Sequence, residues 1–457
     1  MQQALAQAVP PVVPIASPVA SHLSPAMSSL SGDGFNDERM KNQRHTFAFL
    51  LIIAALMANY GTWTGQILAE PVEDAGIRNA VFLLCVTAFE GLYVLLNKTR
   101  LRLHFRFRRL ALIFLVNLFV IAFFRPDVLG SLRHSAAVTL SLGIIFFLSS
   151  LLHSQSFERS ILIYVISLTI VLTVCMIVHV VFVGPLVMLE HGTSTRLGGL
   201  FFYGEFGVMA GATGIMAIIG MALSRNTNRR AYYSLTLLAM LLFQVWSDTR
   251  SAMLGFVICF LILIFLLDPK HSRVIKWGLL VMVVSLGLLT YLYFTHVEAG
   301  QTATEDVDYR AVIWGLGLVG IAEAPLTGYG NFNFFQQHDY LSIVVPSFSD
   351  AHSAILGHAI TFGLTSLALF LSIFYLIVRD VWKAADRRYR LLVSLGMYWF
   401  IAPFFWGVVY KISGGFIQIV FGVTVIGLLA HPGLFKRISA DDPTNPSRGY
   451  RAVLRPH

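Results

Sequence analysis

Charge is what this sequence has least of. Of its 457 residues only 12% are Asp, Glu, Lys or Arg, while 56% are hydrophobic, and the mean hydropathy is +0.71. Soluble domains carry about 25% charged residues, so a water-soluble fold is excluded and a chain whose surface meets lipid is indicated. Cysteine is almost absent. Cys85, Cys175 and Cys259 all fall within apolar stretches and supply neither a disulfide framework nor a CxxC metal motif. Residues 1–38 hold no Lys or Arg, which does not match the basic start of a signal peptide. Segments of about ten residues with alternating apolar and polar positions, the mark of a membrane barrel, are missing too. No internal repeat is visible.

What the chain does have is a series of long apolar runs, most near the roughly 18 residues that cross a hydrocarbon core as a helix. They predict an all-α, polytopic membrane protein with about 12 transmembrane helices, near 46–63, 77–97, 110–124, 135–152, 160–183, 200–224, 231–247, 251–268, 276–294, 352–379, 390–409 and 413–430. Residues 1–45 read as a disordered cytoplasmic tail, 46–430 as the transmembrane domain and 431–457 as a second tail, both tails being rich in small residues and proline. The longest connection, 295–351, separates helices nine and ten; its apolar stretch from Ala311 to Ile321 predicts one or two short helices lying on the membrane.

Basic residues set the orientation. With the amino terminus inside, 26 of the 33 Lys and Arg face the cytoplasm and only Arg78, Arg125, Arg133, Arg196, Arg250, Arg310 and Lys411 remain outside. The net charge of +9 then sits against anionic membrane lipids and needs no nucleic-acid partner.

Three of the outer arginines stand at borders between polar loop and apolar helix: Arg196 in GTSTRLGGLFF, Arg250 in VWSDTRSAMLG and Arg310 in EDVDYRAVIWG. Guanidinium forks match phosphate oxygens bidentately and stay charged at physiological pH, so such a group suits a multivalent anion. At about 4 Å and an effective dielectric near 20, each arginine–phosphate pair is worth roughly 4 kcal/mol before desolvation. The structural alternative is that each snorkels to headgroups or pairs with a neighbouring acid, Asp248 with Arg250 and Asp308 with Arg310. His352, in SDAHSAILGHAITFG, lies at a similar border. An imidazole with a pKa near 6.5 is suited to take a proton from a hydroxyl; the alternative is a residue anchoring a helix start capped by Asp350 or Ser353. His338 and His358 are rivals for that role.

The order of these motifs resembles the O-antigen ligase and polymerase superfamily. An Arg-x-x-x-Leu segment (Arg196 to Leu200) is followed by an Arg-Ser-Ala turn (Arg250 to Ala252), a long late outer loop, and a histidine eleven positions before a glycine (His352 to Gly363). GYGNFNFF, residues 328–335, resembles a Gly-x-Gly segment ahead of the catalytic loop. The resemblance implies a multi-spanning (GT-C-like) glycosyltransferase fold in the bacterial inner membrane, with its active site facing the periplasm. It further implies metal-independent, inverting transfer of a glycan from an undecaprenyl-diphosphate carrier to an acceptor hydroxyl, with no cofactor. His352 would then be the general base, and Arg196, Arg250 and Arg310 would hold the diphosphate. The acceptor would be lipid A core or a growing glycan, which the sequence does not separate. Ser353 and Ser366 stand where the family often has other residues, which bears on subfamily.

Asp306-Val307-Asp308 spells the DxD of metal-dependent sugar transferases, but without the nucleotide-sugar domain that carries it; solvated acids or partners of Arg310 are the better reading. Glu90 and Glu205 are ionisable groups within apolar helices and so are functional candidates. A secondary transporter or flippase for a lipid-linked or anionic substrate is the alternative class. Its commonest fold would show two similar six-helix halves joined by a long cytoplasmic loop, whereas the longest loop here is placed outside.

Overall fold

The computed structural model describes residues 32–60, 75–97, 108–125, 128–182, 197, 203–247, 249–266, 302–330, 353–384, 387–402 and 416–434. The chain divides into two compact units, Met1–Arg44 and His45–His457. The described elements are helices: α1 (Gly32–Tyr60), α2 (Ala75–Asn97), α3 (Arg108–Ala122), α4 (Val128–His153), α5 (Phe157–Phe182), α6 (Tyr203–Leu223), α7 (Thr227–Ser247), α8 (Arg250–Leu266), α9 (Thr302–Glu323), α10 (Ala354–Trp382), α11 (Leu392–Ile401) and α12 (Phe416–Gly422). A π-helical turn, Val423–Leu429, continues α12. Helix α1 begins at Gly32, inside the stretch 1–45 that the sequence reading takes as a tail.

The protein is an all-helical, multi-pass membrane protein, but the expectation of about 12 spans is corrected. Among the described residues four helices are long and apolar enough to cross a bilayer: α4, α5, α6 and α10. Other apolar runs fold as shorter helices, such as α3 with 15 residues, α8 with 17 and α11 with 10. The expected span at 276–294 lies outside the described residues. The physical reason is that an apolar run reports removal from water, by protein as much as by lipid, and does not fix where the helix starts, stops or bends.

Helix α6 shows burial by protein. Its sequence, YGEFGVMAGATGIMAIIGMAL, is apolar on every face, and Phe206, Val208, Met209, Ala210, Ile215 and Ile219 are fully buried. Small residues let neighbours approach its backbone. A Cβ on Gly207 would stand 2.6 Å from Ser247 Oγ, and one on Gly211 would run into Tyr398, whose hydroxyl donates to the Val208 carbonyl at 3.0 Å. Helix α7 returns antiparallel to α6 after Asn226, whose Oδ1 accepts from the amides of Asn228 and Arg229 and so caps the new helix.

Helix α4 packs against α12 and its π turn. Gly422 lies against Ile145 and Gly427 against Leu152, while the Tyr164 hydroxyl of α5 bonds Thr424 Oγ1. Helix α3 leads into α4 through a tight turn at 123–125, and α9 packs along α10. These last four helices build the site.

Candidate functional site

The site is organised around a broken helix. Helix α10 starts after Ser353, which is buried and extended (φ −147°, ψ 122°) and whose carbonyl accepts from Gly357 N at 2.8 Å. Ser353 occupies the cap position but its side chain makes no capping bond, so that part of the structural alternative for His352 finds no support there. Nine residues later the helical path ends at Gly363, with φ 78° and ψ 166°. That backbone region is open to glycine alone in practice.

The break is a sharp bend. In an unbroken helix residues 358 and 370 would stand about 18 Å apart along the axis. The rings of His358 and Phe370 instead stack with centroids 5.3 Å apart. A short arm, 354–362, therefore folds toward a long arm, 364–382, and the single span expected at 352–379 is corrected to two helices meeting at a glycine. His358, in sequence a rival of His352, stands as a core residue: it is fully buried, with the ring of Phe114 at 6.3 Å and that of Phe362 at 4.8 Å. Phe362 also stacks on His134 of α4 at 5.3 Å, and Asn117 of α3 donates to Ser366 Oγ at 2.7 Å.

The turn after α9 closes over this apex. Backbone amides of Tyr329 and Gly330 donate to the carbonyls of Ile360 and Thr361 at 2.8 and 2.9 Å, and Leu364 N donates to Pro325 O at 2.7 Å. The bonds satisfy carbonyls that the end of the short arm leaves without helical partners. Both glycines of the GYG segment have positive φ, 60° at Gly328 and 79° at Gly330. Below the turn, α9 and the short arm share a small apolar cluster of Ile313, Trp314, Leu316, Leu356 and Ile360.

Arg125, at the end of the α3–α4 turn, joins the two segments. Its Nε and Nη2 donate to Thr327 O at 3.1 and 2.7 Å, and Nη2 also donates to Thr361 O at 2.8 Å. The side chain is only 4% exposed, and Nη1 meets no acceptor among the described residues. Burial lowers its pKa to about 10, so it remains charged at neutral pH. Sequence reasoning placed Arg125 only among the seven outer basic residues; its position against the positive-inside pattern was the available signal. Beside the arms an apolar cavity of about 80 Å³ is lined by Phe114, Leu142, Ile145, Phe370, Phe421 and Gly422.

The expected catalytic and diphosphate-binding residues are placed less fully. His352 and Arg196 lie outside the described residues, as do His338 and Asp350. Arg250 is the first residue of α8 and Arg310 lies within α9, with both side chains outside the described set. The backbone still brings two of these regions together: Leu197, directly after Arg196, donates from its amide to Trp246 O at 2.9 Å, four residues before Arg250. Asp306 and Asp308 fall on the backbone of α9, which is a helix of 22 residues. Glu205 is half-buried in the first turn of α6. Glu90 is buried in α2, where its Oε1 meets no hydrogen-bond donor among the described residues.

Comparison with known proteins bears on the same region. No curated protein matches the chain. A family described as O-antigen ligase matches residues 235–371. The matched stretch takes in the Arg250 turn, α9 with Arg310, the GYG turn, His352 and the Gly363 break; Arg125 and Arg196 lie ahead of it. Residues 235–371, less than a third of the chain, are thus similar to the O-antigen ligase family.

Proposed function

We propose that this protein transfers a glycan from an undecaprenyl-diphosphate carrier to an acceptor hydroxyl at the periplasmic face of the bacterial inner membrane. The observation that carries the reading is the family match over 235–371, which contains Arg250, Arg310, His352 and Gly363 in one segment. The glycine break supports it by giving a physical reason for one motif position. A glycine eleven residues after the histidine allows the helix to bend sharply, so the chain from 354 to 362 forms a short arm held by its own contacts.

In this reading the His352 imidazole accepts the proton of the acceptor hydroxyl as its oxygen attacks the anomeric carbon. The bond from that carbon to the diphosphate oxygen breaks, configuration inverts, and the carrier diphosphate leaves with the bonding pair. Arg196, Arg250 and Arg310 hold the diphosphate and stabilise the charge that develops on it. The proton on His352 then passes to water. Catalysis is carried by the imidazole and the guanidinium groups, with no resident metal or organic cofactor. The apolar cavity lined by Phe114 and Phe370 has the character that a segment of isoprenoid chain would take, alongside surrounding membrane lipids. The acceptor is lipid A core or a growing glycan, according to whether the protein ligates or polymerises.

The test is transfer by the purified protein from a lipid-diphosphate-linked glycan to an acceptor glycolipid, with EDTA present. Product formation in EDTA by the wild-type protein, and none by His352→Ala, is the expected result. Activity that disappears with the chelator and returns with a divalent cation would overturn the metal-free mechanism, and an active His352→Ala would overturn the assignment of the base.

A further inference from the structure

The geometry points to Arg125 as a positioning residue for the transfer reaction: its guanidinium pins the 324–330 turn to the apex of the broken helix and so fixes the short arm that starts two residues after His352. The inference rests on the functional reading above and goes beyond it, because Arg125 lies outside the matched family segment and before every motif that the sequence resemblance uses.

Three features carry it. The first is the connectivity of the bonds. Thr327 and Thr361 come from separate segments, 202 and 236 residues from Arg125 in sequence, and one planar fork reaches both carbonyls at 2.7–3.1 Å. An ammonium cannot reproduce that geometry, since it lacks the two rigidly spaced donors. The second is electrostatic. Thr361 is one residue from the end of the 354–362 arm, where the aligned peptide dipoles leave a partial negative charge, and a buried cation there stabilises that arm in place.

The third feature is that the joint is built for close approach on the other side as well. A Cβ on Gly330 would stand 3.2 Å from Arg125 Nη1, 3.0 Å from its Cδ and 2.7 Å from Ser131 Oγ, so only glycine lets the turn settle against the guanidinium. No carboxylate among the described residues pairs with Arg125; the neutral carbonyls of the joint and the helix dipole are its counter-charge. A buried charge held this way is costly to strip of one partner, which makes the joint stiff.

Two variants separate a positioning role from the alternatives: Arg125→Lys, which keeps the charge and loses the fork, and Gly330→Ala, which keeps the arginine and crowds it. Both are compared with wild-type protein in detergent, by transfer kinetics with a lipid-diphosphate-linked glycan and by amide hydrogen exchange. The expected result for each is a kcat lower by about 10²-fold, the scale of a small misplacement of a reacting group, with donor KM within about twofold. Exchange should accelerate at 353–364 and stay unchanged in α4 and α5.

A donor KM that rises while kcat is kept would overturn the proposal in favour of direct diphosphate contact. Faster exchange throughout the bundle would reduce Arg125 to a general stabiliser, and an unchanged kcat with loosened amides at 353–364 would show that the arm need not be fixed. A wild-type protein that transfers no glycan would sink the functional reading instead, a result distinct from any of these.

Discussion

Gly363→Ala tests the break in α10 more sharply than any other single change. At φ 78° and ψ 166° an alanine is strained by about 1–3 kcal/mol. Its Cβ would also collide with the backbone of the 324–330 turn: 2.5 Å from the Leu326 carbonyl carbon and 2.9 Å from Thr327 N, with the Leu326 oxygen nearer still. Backbone on both sides cannot yield as a side chain would, so relief requires the turn to move, at a further cost of about 1–3 kcal/mol by comparison with overpacked cores. The expected loss is therefore about 2–6 kcal/mol. It should appear in equilibrium unfolding in detergent together with a fall in glycan transfer. Gly315→Ala is the matched control. Gly315 lies in α9 with nothing within 4 Å of an added Cβ, and alanine should stabilise its helix by about 0.5–1 kcal/mol. If Gly363→Ala proved as stable and as active as Gly315→Ala, the break at Gly363 would not be a requirement of this fold.

The remaining expectations follow from the same contacts. His352→Ala should abolish transfer while thermal unfolding and membrane insertion stay as in wild type. Alanine at Arg196, Arg250 or Arg310 should raise donor KM, and lysine at each should restore it only in part because the bidentate fork is lost. His358→Ala should behave oppositely to His352→Ala: removal of a buried ring packed on Phe362 and Phe370 should cost roughly 2–4 kcal/mol of stability, with the folded fraction retaining turnover. Tyr398→Phe should cost about 0.5–1.5 kcal/mol through the lost bond to Val208 O and leave transfer kinetics unchanged.

Much of the helical layout was legible from hydropathy. The runs 160–183, 200–224 and 251–268 became α5 (Phe157–Phe182), α6 (Tyr203–Leu223) and α8 (Arg250–Leu266), with ends shifted by three residues or fewer. The same signal failed at 352–379, because Gly363 breaks the helix within that run and hydropathy is indifferent to the sign of φ. It failed again in the count of spans, since apolar runs such as those of α3, α8 and α11 fold as helices of 15, 17 and 10 residues, and hydropathy does not fix where a helix starts or stops.

The sequence by itself determined that this chain is helical and lives in a membrane, because a backbone in lipid must satisfy its hydrogen bonds within helices or closed barrels and the alternation of a barrel is missing. It also supplied the glycines that mark the site, Gly328, Gly330 and Gly363, as elements of recognisable motifs. Only the tertiary structure decided what those glycines are for, and that Arg125 belongs with them. Their meaning lies in contacts between segments more than 30 residues apart in one case and more than 200 in another, and no local pattern of polarity or propensity records which distant carbonyls a single guanidinium will hold.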